Sequence, residues 1–414
     1  MSDNSSSKNK PKSDCSITKV LAFGHIPTWA GGRQESGLAN VIYNLALSMS
    51  ESDGFDVTLA ATDFFESKKV VNSLTVLGWQ KKSLLIFAIL HPFFTLKTFF
   101  HLIAARKKYQ SFISIPGMLI KSIFLRKAIN EIKPDVVHLH AAHSIVYLPA
   151  IPSCVKVILT HHGVVGYDSH INNSDVYAKL ENDTCHTQRI SKLYFISQKL
   201  ISNFVERYHS IDIPHEAILD AYDSSRFHYI EHLPQKKLTL VTVASFSENK
   251  GQERVVEAIG RCGVDCRYIC VGASSDGYHK KVQTIADNYK VDFEYVGKKT
   301  PSEIREILSM ADYMILPSST EGFGLVYLEA IACGVPVVLP KHLPIVQEDG
   351  IIQPGKNAIL LENSSADAIV SCLPTLNETR MDHMAVSKTI VNFTWQNIGK
   401  SYTESVTALF RNKK

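Results

Sequence analysis

The chain has 414 residues, which is too long for one ordinary hydrophobic core and predicts at least two domains. Hydrophobic residues make up 45% and charged residues 20% of the chain, which excludes a disordered or fibrous protein. Its eight cysteines are too sparse for a disulfide scaffold. The formal net charge of +4 is modest and by itself identifies no partner.

Residues 1–17 are polar and serine-rich, and we interpret them as a disordered tail. A secretory signal peptide needs an apolar stretch after its positive end, and this segment contains none. We therefore expect a cytoplasmic protein whose thiols are reduced.

Strand and helix patterns alternate along the chain, which is typical of parallel α/β layers. In the first half, residues 18–24 predict a buried strand, and a glycine-containing loop with Gly31, Gly32 and Gly37 follows it. Further strands are predicted at 56–61, 136–140, 155–160 and 193–197. A helix with one buried face is predicted by apolar residues at offsets 0, 3, 4, 7, 8 and 11, namely Leu38, Val41, Ile42, Leu45, Ala46 and Met49.

The segment 81–130 concentrates the positive charge of the chain. It contains seven lysines, two arginines and no acidic residue, so it carries +9 and leaves −5 for the rest (4 − 9). Because aromatic and aliphatic residues are interleaved with these cations, the segment is typical of contact with an anionic membrane surface. His91–Pro92, Lys97 and His101 interrupt the apolar run and argue against a membrane-spanning helix. A core helix with a solvated basic face is the alternative. No nucleic-acid-binding motif accompanies the charge, so we expect no nucleic acid partner.

The second half repeats the alternation. Strands are predicted at 238–245, 266–272, 292–297, 313–317 and 336–339, with helices at 252–261, 279–289, 301–310, 324–333 and 394–410. We therefore predict an α/β fold with two Rossmann-like, doubly wound domains facing a cleft. The expected divisions are an N-terminal domain at 18–215, a linker at 216–236, a C-terminal domain at 237–390 and a final helical segment at 391–414.

Three cysteines, Cys262, Cys266 and Cys270, recur at four-residue spacing. No histidine nearby completes a metal site, and two of the three fall on a predicted buried strand. We interpret them as core residues.

The stretch 317–338 is the most informative part of the sequence. A strand ends at Pro317, a short loop carries Glu321, and Gly322 and Gly324 begin a helix that contains Glu329. Free amides at a helix start can cradle a phosphate, which favours a phosphorylated ligand here.

The two glutamates are eight residues apart, or about 12 Å at the rise of a helix. Carboxylate pairs that hydrolyse glycosides lie only about 5–9.5 Å apart. The spacing instead suits an elongated ligand with its phosphates between the two carboxylates. A sugar nucleotide has that shape, so the pattern favours transfer over hydrolysis.

The same stretch resembles the E-x7-E signature of family-4 retaining glycosyltransferases, which have the GT-B fold. Similar motifs occur elsewhere in the family's order. They are the Gly31–Gly32 loop with Gly37, KPDVVHLH at 133–140, THHG at 160–163, DAYDSSRF at 220–227 and NKG at 249–251. Together they cover about residues 18–411, which makes the resemblance specific.

The resemblance implies a role for each matching residue. Glu329 would bond the ribose hydroxyls of the donor, and Glu321 would hold the donor sugar. Lys250 would neutralise the diphosphate leaving group, and His162 would face the donor sugar. The expected catalytic residues are thus Glu321, His162 and Lys250, and the expected donor-binding residues are Glu329, Gly322, Phe323, Gly324, Leu325, Gly31 and Gly32.

A departing nucleoside diphosphate develops negative charge, which fixed cations and amides can meet without a metal. The chain also has no Asp-x-Asp triplet, the metal–diphosphate clamp of the other glycosyltransferase fold. We therefore expect no metal and no cofactor, with the nucleoside-diphosphate sugar as co-substrate.

Two departures from the family pattern concern the same region. The arginine that usually precedes the lysine is absent, so Lys250 acts alone or Arg254 or Lys298 substitutes for it. The family's NGVD has become 220-DAYD-223, which leaves the contacts of that turn open.

The implied function is transfer of a sugar, with retained configuration, from a nucleoside diphosphate to an acceptor hydroxyl. The basic segment suggests cell-surface polysaccharide or glycolipid assembly on a sugar or lipid-linked acceptor, at the inner face of the plasma membrane. The alternatives are a nucleotide-sugar epimerase or phosphorylase on the same fold, or a catalytically degenerate scaffold that binds sugar nucleotides.

Overall fold

A computed structural model describes residues 17–33, 36–109, 114–165, 174–233, 235–274, 277–379 and 381–411. The predicted tail lies outside these residues except for its last position. Two sheets of nearly all-parallel strands, each covered by helices, confirm the predicted α/β class with two Rossmann-like domains.

The first sheet has eight strands in the order β3-β4-β2-β1-β5-β6-β7-β8. Every neighbouring pair is parallel except β3 with β4, which a two-residue turn connects. The turn residues Asn72 and Ser73 both have positive φ, as the tight turn of a twisted hairpin requires. The strands are β1 (Thr18–Gly24), β2 (Phe55–Ala61), β3 (Lys68–Val71), β4 (Leu74–Leu77), β5 (Val136–His140), β6 (Lys156–His161), β7 (Lys192–Phe195) and β8 (His215–Ala217).

The described part of this domain contains the helices α1 (Gly37–Ser50), α2 (Lys81–Leu90), α3 (Pro92–Lys108), α4 (Ile115–Ile132), α5 (Ser174–His186) and α6 (Gln198–Tyr208). Helix α1 begins where Ser36 Oγ accepts the amide of Ala39, and its predicted apolar face is buried apart from the half-buried Leu38. Helices α2 and α3 meet at an angle of 103°. No single described helix is long and apolar enough to span a bilayer, although this bent pair passes the length and composition test together.

The second sheet has six parallel strands in the order β11-β10-β9-β12-β13-β14. They are β9 (Leu238–Val243), β10 (Cys266–Val271), β11 (Asp292–Gly297), β12 (Tyr313–Ile315), β13 (Val337–Pro340) and β14 (Ala358–Leu361). The helices are α7 (Gln252–Cys262), α8 (Tyr278–Tyr289), α9 (Pro301–Leu308), α10 (Leu325–Ala332), α11 (Ala366–Glu378), α12 (His383–Lys388) and α13 (Trp395–Arg411).

The chain returns to the first domain at its end. Helix α13 packs on α1 so closely that a Cβ at Gly399 would lie 2.5 Å from Ser48 Oγ. Trp395 is buried at the start of this helix, in a core cluster that also contains α1 residues. A further tie between the domains is Glu348, whose carboxylate accepts the first amides of α6, from Gln198 and Lys199. These contacts hold the two sheets on either side of a cleft.

Candidate active site

The centre of the second sheet reverses its strand order between β9 and β12. These strands neighbour each other although three helices and two strands separate them in the chain. In open parallel sheets, ligands bind beyond the carboxyl ends of the strands at such a switch point. The loop after β9 carries Lys250 and the loop after β12 carries Glu321, so both lie at this edge.

Asn249 ties these two loops together. Its carbonyl oxygen accepts the amide of Ser319 at 2.8 Å, and its side chain both donates to and accepts from the backbone of Thr320 at 3.1 Å. The loop preceding Glu321 is therefore held against the loop of Lys250, which fixes the separation of the two side chains.

Lys250 and Glu321 form an ion pair, with 2.5 Å between Nζ and Oε1. Their side chains are 20% and 12% exposed, and the Ser318 hydroxyl donates to the same carboxylate oxygen at 2.7 Å. Both charged groups line one cavity of about 430 Å³. The pair thus presents a fixed cation and a fixed carboxylate to whatever enters the cleft.

The residues that lead into α10 line the same cavity. Gly324 precedes the helix with φ +94°, and a Cβ there would lie 2.7 Å from the Tyr327 ring. A Cβ at Gly322 would lie 2.8 Å from the carbonyl oxygen of His162, which belongs to the other domain. Glycine at 322 therefore permits the two domains to approach each other at this point. Phe323 and Leu325 line the cavity with them.

His162 follows β6 and reaches the cavity from the first domain. Its Nε2 lies 3.1 Å from Nδ1 of His140, so one ring donates and the other accepts. Burial lowers the pKa of His162 to about 3, which makes the imidazole neutral at physiological pH. The structure thus brings His162, Lys250 and Glu321 to one cavity, and their catalytic roles stay predictions.

The other histidines on these strands are structural. His138 is buried and hydrogen-bonded to Thr160 Oγ1 at 2.7 Å. His161 is buried against Phe195, and its Nε2 lies 2.9 Å from Thr184 Oγ1. These two rings are therefore packed and hydrogen-bonded inside the first domain.

Glu329 lines a second cavity of about 780 Å³, which shares Gly37 and Leu325 with the first. Helix α10 begins only at Leu325, so Glu321 lies outside it. The estimate of about 12 Å between the two glutamates assumed a continuous helix and therefore had a wrong basis. Each of the two cavities nevertheless contains one of the glutamates, and the entry to α10 lies between them.

Several charged groups surround Glu329. Burial raises its pKa to about 7, the nearby Asp223 adds to the rise, and Arg226 opposes it. Arg226 is paired with Asp223 at 3.1 Å and lies 3.4 Å above the Trp29 ring. Sequence reasoning missed both Trp29 and Arg226 as cleft residues, although Arg226 lies within the 220–227 motif.

Asp220 is a further cleft residue whose role the sequence left open. It is buried, it lines the 430 Å³ cavity, and burial raises its pKa to about 7. Because this position departs from the family's NGVD motif, that departure could have indicated a residue with a role of its own.

Gly31 and Gly32 do not line either cavity. A Cβ at Gly32 would lie 1.8 Å from the carbonyl oxygen of Ile26, and one at Gly31, where φ is +104°, would lie 3.2 Å from Phe64. Gly32 is therefore needed by the packing of its own loop and Gly31 by that of the segment after β2, and their donor-binding role stays a prediction.

The two proposed substitutes for the missing arginine differ in position. Arg254 donates to the carbonyl oxygens of Glu248 and Pro317, so it braces the site loops from behind. Lys298 lines the 780 Å³ cavity on the Glu329 side. Among the described residues, Lys250 is therefore the one lysine or arginine that lines the smaller cavity.

The described residues contain no group of three side chains that could hold a metal ion. Cys266 and Cys270 are buried on β10, and Cys262 is half-buried at the end of α7. The cysteines are therefore part of the second domain's core and its edge.

Two family models match the chain. The one described as "Glycosyl transferases group 1" matches residues 223–385, and the one described as "Glycosyl transferase 4-like" matches residues 96–197. WcaL of Salmonella typhimurium, assigned by name to colanic acid biosynthesis as a glycosyltransferase, is 29% identical over 180 residues. That match covers 41% of this chain and 43% of WcaL, which is less than two thirds of the relative's length.

N-acetyl-alpha-D-glucosaminyl L-malate synthase of Bacillus anthracis is 25% identical over 302 residues, covering 68% of this chain and 72% of the relative. Among solved structures, sucrose-phosphate synthase of Thermosynechococcus elongatus has a TM-score of 0.72 at 14% identity, covering 95% of this chain and 99% of its own. Anabaena HepE, solved with UDP and glucose, has a TM-score of 0.64 at 15% identity, covering 94% and 100%. The two glycosyltransferase family models thus match separate parts of the chain, one in each domain, and the solved structures share its two-domain fold.

Proposed function

We propose that the protein is a retaining glycosyltransferase that moves a sugar from a nucleoside diphosphate to an acceptor hydroxyl. The observation that carries the proposal is the ion pair of Lys250 and Glu321 beside the amides that begin α10, in a cavity that His162 closes from the other domain. Lys250 and these amides would stabilise the negative charge that develops on a departing diphosphate, whereas the carboxylate of Glu321 can accept hydrogen bonds from sugar hydroxyls.

The two cavities suit the two ends of such a donor. The smaller one, with Glu321, takes the transferred sugar and the phosphates. The larger one, with Glu329, takes the nucleoside, and an ionised Glu329 accepts hydrogen bonds from the ribose hydroxyls. The structural neighbour HepE is solved with UDP and glucose, which supports a nucleotide-sugar donor of this kind.

The neutral His162 cannot serve as a fixed cation, so its proposed role is to hydrogen-bond the donor sugar. The acceptor enters from the first domain, and closure of the cleft excludes water that would otherwise hydrolyse the donor. The assignment of WcaL to colanic acid biosynthesis supports an acceptor in polysaccharide assembly. We propose a sugar or lipid-linked acceptor in the cytoplasm.

A panel of nucleoside-diphosphate sugars tests the proposal. We expect one donor to raise the Tm of the purified chain and to release its nucleoside diphosphate when acceptor is added, with retained anomeric configuration in the product by NMR. EDTA should leave the rate unchanged, because Lys250 and the amides replace a metal. Conversion of the donor alone to an epimer would indicate an epimerase. Cleavage of a glycoside that requires inorganic phosphate would indicate a phosphorylase. Donor binding without turnover for any acceptor would indicate a scaffold.

A further inference from the structure

Helices α2 and α3 are apolar on both of their faces. Leu84, Phe87, Leu102 and Ala105 are buried in the core of the first domain. The opposite face is exposed, and Phe93 reaches 89% exposure. Of the 18 exposed large apolar side chains among the described residues, eight lie within residues 85–100: Leu85, Ile86, Ile89, Leu90, Phe93, Leu96, Phe99 and Phe100. Such a concentration marks an interaction surface, whereas scattered single residues do not.

Cations border this apolar surface. Lys81 and Lys82 are exposed at the start of α2, and Lys97 and Lys107 are exposed on α3. None of these four lysines forms an ion pair with a described acidic residue, and no acidic residue occurs anywhere in 81–130. The surface is therefore both apolar and strongly positive.

A cavity of about 690 Å³ opens beside the same surface. Lys97, His101, Ala104 and Lys108 line it from α3 at spacings of 4, 3 and 4 residues. At about 100° per residue these positions form one stripe along the helix, directly next to the exposed stripe that contains Phe93. The cavity mouth and the apolar surface thus adjoin.

The cavity is lined by cations and contains no acidic residue in its described lining. Arg126 lies in its wall, 4.8 Å from the Phe94 ring centroid, and its Nε has no hydrogen-bond partner. Arg189 also lines it, although its guanidinium donates to the carbonyl oxygens of Val155 and Pro152. Arg126 is half-buried, and a buried donor such as its Nε that lacks a partner is costly, so an anion in the cavity would satisfy it.

We propose that the face formed by α2 and α3 docks on an anionic lipid bilayer, with the phosphate of one lipid headgroup in the cavity of Lys97 and Arg126. The negative surface of the bilayer attracts the lysines, and the exposed Leu, Ile and Phe side chains insert at the depth of the headgroups. A second copy of the chain would instead bring two equally positive faces together, which like-charge repulsion opposes. This docking is independent of the reaction proposed above, because it uses neither cavity of the cleft.

The test is flotation of the full chain with vesicles of neutral phosphatidylcholine, and with vesicles that also contain anionic phosphatidylglycerol. We expect binding to the anionic vesicles only, and loss of that binding at high salt. Phe93→Glu is expected to weaken partitioning at least about tenfold, whereas Val391→Glu, at an exposed apolar position between α12 and α13, should not change it.

Lys97→Gln probes the cavity, with Lys356→Gln on the exposed surface of the second domain as its control. We expect about fivefold weaker partitioning for the first substitution. The Lys356 variant should match the wild-type protein. Both are surface changes, and equal Tm values would show that folding is unaffected.

Three results would overturn the docking proposal. The first is equal binding of the wild-type protein and Phe93→Glu to anionic vesicles. The second is a rise in Tm with inorganic phosphate, lost in Lys97→Gln, without any vesicle binding, which would assign the cavity to a free anion. The third is a wild-type dimer in sedimentation velocity that Phe93→Glu dissociates, again without vesicle binding, which would make the face an interface between copies.

Discussion

Replacing Lys250 with methionine separates a catalytic cation from a structural one. Methionine keeps most of the length and apolar volume of the side chain but removes the charge that faces Glu321 at 2.5 Å. In the proposed reaction, this charge stabilises the diphosphate as it leaves, so the loss falls on the transition state.

The structure allows the two consequences to be estimated separately. Removal of one preorganised group that stabilises developing charge costs about 10²–10³ in kcat. Stability should fall much less. Breaking a fully buried pair costs about 3–5 kcal/mol, but this pair is partly exposed and Ser318 still bonds Glu321, so we expect about 1–2 kcal/mol.

The assay is release of nucleoside diphosphate at saturating donor, with the most active donor of the panel, alongside the Tm of each variant. Lys281→Met is the matched control, because Lys281 forms a 2.6 Å ion pair with Glu253 outside the cleft. Its kcat should equal that of the wild-type protein. A Lys250→Met variant that keeps more than about a fifth of wild-type kcat would refute the reasoning, since such a loss is far below that of a charge-stabilising group.

Two other predictions concern stability and domain approach. Burial raises the pKa of Asp220 from its ordinary value to about 7, so its stabilising effect is complete below about pH 4 and is lost as pH rises to 7. The difference in unfolding free energy between Asp220→Asn and the wild-type protein should therefore shift by about 2–3 kcal/mol in favour of the variant from pH 5 to pH 8. Denaturant unfolding measures this difference, and a value that does not change with pH would contradict the prediction. Gly322→Ala should lower kcat at least about tenfold, because its Cβ would lie 2.8 Å from the His162 carbonyl oxygen and hold the domains apart. Gly117→Ala within α4, where the nearest atom is 3.5 Å away, should keep full activity, and equal rates for both alanine variants would argue against a closed cleft.

Local sequence patterns predicted most of the central elements, because their signals are short-range. Strands β1, β5 and β11 begin and end where predicted, and α7 extends only one residue beyond its prediction. Strands β3, β4, β8 and β14 were missed. Each is three or four residues long, and β3 and β4 are joined by an Asn-Ser turn that lacks the glycine typical of hairpins.

The site shows the same division. The order of motifs along the chain was sufficient to nominate Lys250, Glu321 and His162, which three separate loops bring to one cavity. It could not show that Gly31 and Gly32 serve local packing, because their close neighbours, Phe64 and Ile26, are identified only by the folded backbone.

The amino-acid sequence alone determined the alternation of strands and helices, the apolar faces that form two cores, and the concentration of positive charge in 81–130. These depend on residue type and periodicity. Only the tertiary structure decided which charges meet, as Lys250 does with Glu321, and which polar atoms stay unpaired among the described residues, as Arg126 Nε does. The physical reason is that burial and pairing depend on residues distant in the chain, whose separation is set by the packing of both domains.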